Sequence, residues 1–166
     1  MTERFHLERV DIEDPADENQ VSGYGLLELF QCEVEYRFNT EDIRLEEAEW
    51  YIQNVLNRLP DDTVNDICNQ AYEWKAEKMS SDTADYPAGL AEVEGRGILA
   101  FMAFGEVELY RNPADPKDKI LGAILGGSTD WDTENGMEIV MLGHQVLEVR
   151  EYLGYGEFAI WTEPDE

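Results

Sequence analysis

Cysteine is scarce in this chain of 166 residues: only Cys32 and Cys68 are present. Cys32 falls in a strand-like run and Cys68 on the apolar side of a helix-like run. Both read as buried, reduced thiols, and nothing near them has zinc-ligand spacing. Lysine is scarcer than arginine, four against eight, and together they face 38 acidic residues for a net charge of −26. With no Lys/Arg stripe, direct nucleic-acid binding is excluded, because phosphates need one. No apolar run approaches the ~18 residues of a membrane span. Met1 to Arg4 lacks the basic-then-apolar pattern of a signal peptide, so the chain reads as cytoplasmic. Histidine is limited to His6 and His144. Ser128 lacks the G-x-S-x-G elbow, and Gly95-Arg96-Gly97 lacks the rest of a phosphate loop. With so many carboxylates, some pair will always have glycosidase-like spacing, so such a pair carries no specificity. The chain therefore reads as non-enzymatic and without a cofactor, with an enzyme as a third reading behind two binding functions. No internal repeat or low-complexity tract is present.

What is there suits one globular domain over residues 1–166. Apolar residues make up 43% and aromatics 11%, enough for a hydrophobic core without staples. Charge of this density costs stability by self-repulsion. A basic protein partner, a nucleic-acid-mimicking surface, salt adaptation and a generic soluble surface are the four accounts of it.

Along the chain, Arg4 to Val10 alternates as a first strand, and 11–23 reads as an exposed acidic connection. Tyr24 to Phe38 reads as one long half-buried strand, with Leu26, Phe30, Cys32, Val34, Tyr36 and Phe38 on the buried side and an irregularity at Glu28. Asn39-Thr40 supplies a helix cap. Leu45, Ala48, Ile52, Val55, Leu56 and Leu59 then recur at helical spacing until Pro60. Asp61 or Asp62 caps a second helix, whose apolar side is Val64, Ile67, Cys68, Ala71 and Trp74 and which fades near Ser81. So short a link predicts an antiparallel helical pair or an elbow. Residues 80–97 read as a second exposed connection. Ile98 to Phe104 is apolar throughout, so periodicity cannot separate strand from helix. Strands follow at 105–110, 120–125 and 158–161. Met137 to Leu142 and Val146 to Leu153 form a hairpin broken at Gly143-His144. Helices segregated from a mostly antiparallel sheet, as a pair inserted after the N-terminal strands, make an α+β domain.

The most informative stretch is Thr129-Asp130-Trp131-Asp132-Thr133-Glu134-Asn135-Gly136, an acidic loop feeding that hairpin. Asp130, Asp132 and Glu134 occupy EF-hand positions 1, 3 and 5. Gly136 then falls at 7 rather than 6, and Met141 stands where the bidentate Glu belongs. No metal site is expected; the carboxylates are expected to shape the turn, with Asn135-Gly136 supplying its positive φ. In the first helix, Trp50 lies about 140° from Leu45. It is either covered by the 80–97 segment or an exposed anchor for a partner, with Glu46, Glu47 and Glu49 beside it.

The run Asp130-Trp-Asp-Thr-Glu-Asn-Gly-Met-Glu-Ile-Val, followed by Gln145-Val-Leu-Glu-Val, resembles uncharacterised bacterial domains with a Trp-Asp-x-Glu-His-Gly motif before a C-terminal hairpin. Asn135 stands where that family carries His. The resemblance, over 23–161, implies strands, a helical middle and further strands. Some of those domains are similar to immunity proteins of bacterial toxin systems, which implies an inhibitor that binds a protein. The reading is thus a non-enzymatic acidic interaction protein with a basic partner. A small-molecule or cation-binding domain using the 129–136 loop is the alternative.

Overall fold

The computed structural model describes residues 7–14, 17–41, 43–81, 89–90, 92–111, 121–132 and 136–151. These residues form an α+β fold built on one open seven-stranded sheet. The strands are β1 (Glu8–Asp14), β2 (Asp17–Leu27), β3 (Cys32–Asn39), β4 (Met102–Arg111), β5 (Leu121–Thr129), β6 (Met137–Leu142) and β7 (Gln145–Glu151). They lie in chain order across the sheet. All neighbours are antiparallel except β3 and β4, which pair in parallel. The helices α1 (Leu45–Asn54) and α2 (Asp61–Ser81) lie in the β3–β4 crossover, the long connection that parallel pairing requires.

Cys32, Val34, Tyr36 and Phe38 point to the helical side, while Glu33, Glu35 and Arg37 point away, as alternation predicts. The expected long strand over 24–38 is instead a hairpin. A 3-10 turn at Glu28–Phe30 ends with Gln31 at φ 52, and β2 doubles back on β3. Leu27 is therefore buried and Leu26 exposed, the reverse of the expected parity. No Gly or Pro marks this reversal. Gln31 takes the left-handed position and bonds its amide to the Glu28 carbonyl at 2.7 Å, offsetting part of a cost of about 1–2 kcal/mol. Within the expected connection at 11–23, residues 11–14 belong to β1 and 17–23 to β2. The first strand thus runs further than predicted, while Arg4 to His6 of the expected strand lie outside the described residues.

Helix α1 begins at Leu45, after Arg44, so Asn39 is not its cap. The Asn39 carboxamide instead accepts the Glu41 N–H at 2.8 Å, an Asx turn on leaving β3. Ala48, Tyr51 and Ile52 face the core; Leu45, expected there, is 39% exposed. Asp61 and Asp62 lie in the first turn of α2 rather than before it, near the positive end of the helix dipole. The Pro60 carbonyl accepts the Val64 N–H. A 3-10 turn at Leu56–Arg58 follows α1, and α2 packs along β7 and against a second 3-10 segment at Gly95–Phe101. Ile98–Phe104 is thus divided between that segment and β4. β5 continues through Gly126-Gly127 to Thr129; a Cβ on Gly127 would stand 2.0 Å from the Ala103 carbonyl oxygen. The expected strand at 158–161 lies outside the described residues. Among the described residues, no helix is long and apolar enough to cross a membrane.

Candidate functional site

Two regions carry the residues singled out from sequence: the outer side of α1, and the loop after β5. On α1 the four residues separate. Trp50 is 61% exposed, the most exposed large hydrophobic among the described residues. It does not pack beneath another element. Glu46 is exposed beside it. Glu49 turns inward, is 5% exposed, and accepts the Leu7 N–H at 2.8 Å, tying α1 to the chain entering β1. Glu47 accepts the Arg44 N–H at 3.1 Å and pairs with Arg111 of β4 at 3.1 Å. Burial alone would raise the Glu47 carboxyl, but those hydrogen bonds and the two guanidinium groups outweigh it and hold it below its ordinary value.

The loop after β5 is built inward. The Asp130 N–H donates to the Phe101 carbonyl at 2.9 Å. The Asp132 N–H donates to the Thr129 hydroxyl at 3.0 Å, so a threonine side chain helps shape this bend. Trp131 is 1% exposed and meets Trp74 of α2 edge-on, with ring centroids 5.5 Å apart. Truncating a buried Trp costs about 3–5 kcal/mol, so Trp131 belongs to the core. Gly136 has φ 72 and re-enters β6, the positive φ expected of the Asn-Gly turn. Glu134 and Asn135 lie outside the described residues. Among the described residues, no group of three or more Asp, Glu, His or Cys is arranged to hold a metal ion.

Asp132 is buried and stands 3.9 Å from the Lys78 ammonium. It opens onto a groove of about 520 Å³ between α2 and β7. One wall is Gln70, Glu73, Trp74, Glu77 and Lys78; the other is Glu148, Val149, Arg150 and Glu151. Gln70 joins the walls by accepting the Val149 N–H at 3.1 Å. Arg150 pairs with buried Glu138 and with Glu148, each at 2.9 Å. Sequence reasoning missed this groove. Its one local signal is Glu73 and Glu77, like charges one helical turn apart, a spacing that is unfavourable on an isolated helix. The hairpin turn lies at the other end of α2: the Tyr51 and Thr63 hydroxyls donate to the Gly143 and His144 carbonyls, both at 2.7 Å. His144 itself is solvent-exposed.

Fold and surface define an α+β domain with an open sheet, an exposed tryptophan on its first helix and a polar groove beside its last described strand. The chain belongs to the family described as a domain of unknown function, DUF6985, which matches residues 10–156. No curated protein and no solved structure matches it.

Proposed function

We propose that this protein is a non-enzymatic interaction protein that binds a basic protein partner through the outer side of α1, as an immunity-type inhibitor does in the bacterial cytoplasm. The observation that carries the reading is Trp50. A side chain of this size, 61% exposed on a regular helix, contributes little to folding. Trp is the residue type most enriched where binding energy concentrates. The net charge of −26 supplies the second half: it steers a basic partner and raises its association rate. The exposed carboxylate next to the anchor is Glu46; Glu47 and Glu49 serve the fold.

The test is binding kinetics on a captured basic partner with three variants. Trp50→Ala is expected to weaken binding by about 2 kcal/mol or more, chiefly through faster dissociation. Its unfolding free energy should stay within about 0.5 kcal/mol of wild type. Glu46→Gln is expected to slow association and flatten its salt dependence. Glu49→Ala should lower stability by about 1–3 kcal/mol, because it strands the Leu7 N–H, while leaving the association rate alone. Wild-type dissociation by a folded Trp50→Ala protein would move the binding surface away from α1.

The other reading, ligand binding at 129–136, is favoured by one observation only: Asp132 reaches the α2–β7 groove.

A further inference from the structure

We propose that the segment 152–161 docks on the outer face of the sheet, turned away from the helices, and covers Ile124, Val140 and Leu147. On the inner face, Val107, Leu125, Ile139 and Val149 share one core with Ala48, Ile52, Ile67 and Ala71 of the helices. On the outer face, Tyr110, Ile124, Val140 and Leu147 form a separate apolar cluster across β4, β5, β6 and β7. The register sets Ile124 opposite Val140 and Tyr110 opposite Gly122. Tyr110 lies across Gly122, where a Cβ would meet its ring at 2.4 Å, and donates its hydroxyl to the Met141 carbonyl at 2.6 Å. Exposure on this face is uneven. Towards β2 and β3 it is open: Leu26 is 43% exposed, and Glu33 and Glu108 face solvent. Over β5 to β7 it is closed: Val140 is 0% and Ile124 7% exposed, and the Glu138–Arg150 pair is buried beside them. Neighbouring side chains on a sheet stand beside a valine rather than above it. A valine without exposure therefore needs a second layer over it, and both helices lie on the other face.

Chain order selects the segment that supplies this layer. Residues 1–6 precede β1, at the far edge of the sheet from β7. Residues 82–88 start from the end of α2, on the helical face. Residues 112–120 join β4 to β5 and contain one large apolar side chain, Ile120. Residues 152–161 follow β7 directly, next to Arg150, and carry Tyr152, Leu153, Tyr155, Phe158, Ile160 and Trp161. From β7 to β5 is two strand spacings, about 10 Å, and an extended chain of this length reaches about 33 Å. Glu138 and Arg150, where the segment leaves the sheet, each make a further interaction besides those with one another and with Glu148. A second copy of the chain is a poorer occupant, because it brings the same charge of −26 against a face that carries Glu33, Glu35, Glu106 and Glu108.

The experiment is nuclear Overhauser spectroscopy on the full chain, with isotope-labelled Ile, Leu and Val methyls and protonated aromatic rings in a deuterated background. The methyls of Ile124, Val140 and Leu147 are expected to show contacts to ring protons of the aromatic residues within 152–161. In an equal mixture of labelled and unlabelled chains, an isotope-filtered spectrum is expected to show none of these contacts between molecules. The triple variant Leu153→Ser, Phe158→Ser, Trp161→Ser is expected to lose the cover. With a soluble gadolinium chelate, relaxation of its Ile124 and Val140 methyls should rise to the level of the exposed Leu26 methyls. Those of Ile52 and Ile67 should stay at the wild-type level, which shows that the variant is folded. Should the variant unfold, the wild-type contacts decide alone. The proposal is overturned if the outer methyls contact only residues 112–120 or nothing outside β4 to β7, or if a folded triple variant keeps Val140 shielded. It is overturned in favour of a second copy if the contacts prove intermolecular.

Discussion

Over little more than one turn of α1, four neighbouring side chains fall into three different environments. Glu46 and Trp50 face solvent, Glu49 holds a backbone N–H from the start of β1, and Glu47 bridges Arg44 and Arg111. Glu47 makes the sharpest residue-level prediction. Its folded-state value lies below its ordinary one, so its contribution to stability is full above the ordinary carboxylate range of about pH 4.3. That contribution is lost as pH falls through the lower, folded-state value. Glu47→Gln is therefore expected to be less stable than wild type at neutral pH by about 0.5–1 kcal/mol. The difference should close on acidification, as followed by urea unfolding at a series of pH values. A difference that persists at the acid end would assign the loss to packing rather than charge.

The hairpin of β6 and β7 carries a charge pair that its strand pattern conceals. Glu138 and Arg150 are register partners, 1% and 9% exposed in their side chains, bonded at 2.9 Å. Removing Glu138 leaves the buried Arg150 with only the half-exposed Glu148 as a counter-charge, so Glu138→Ala should cost up to about 3–5 kcal/mol. The double replacement Glu138→Leu with Arg150→Leu should recover most of that loss, because apolar pairs of similar volume substitute well for buried ion pairs. Chemical denaturation of the single and double variants checks this. The loop that precedes β6 makes a different prediction. Its acidic residues miss the EF-hand register, and Asp132 faces Lys78. Melting curves in calcium, magnesium and EDTA are expected to coincide; a saturable calcium-dependent rise, lost in Asp132→Ala, would make the loop a metal site.

For the whole molecule the governing quantity is the charge of −26. Like charges carried on one chain of this size repel at distances within the screening length, which is about 8 Å at physiological ionic strength. The melting temperature should rise steeply with the first additions of NaCl and then level off. A rise that continues into molar salt would point to salt adaptation rather than to a surface shaped by a basic partner.

Composition and periodicity were enough for the α+β class, for α2 with its apolar side, for the outward carboxylates of β3 and for the 137–151 hairpin. Each of these is a local property: charge content, a repeat of two or 3.6 residues, a Gly-containing turn. The reversal at Glu28–Gln31 was not legible, because Gln31 holds its left-handed backbone without a glycine to announce it. Nor was the division of 98–104, where unbroken apolar residues erase the period. At the candidate sites, sequence alone could group Glu46, Glu47, Glu49 and Trp50 on one helix and Asp130, Trp131 and Asp132 on one loop. Only tertiary structure decided which of them reach solvent, because that depends on what packs opposite: Leu7 against Glu49, Arg111 against Glu47, Trp74 against Trp131. The α2–β7 groove belongs wholly to that second kind of information. Its walls are about 75 residues apart in the chain and meet only because the helix lies along the last described strand.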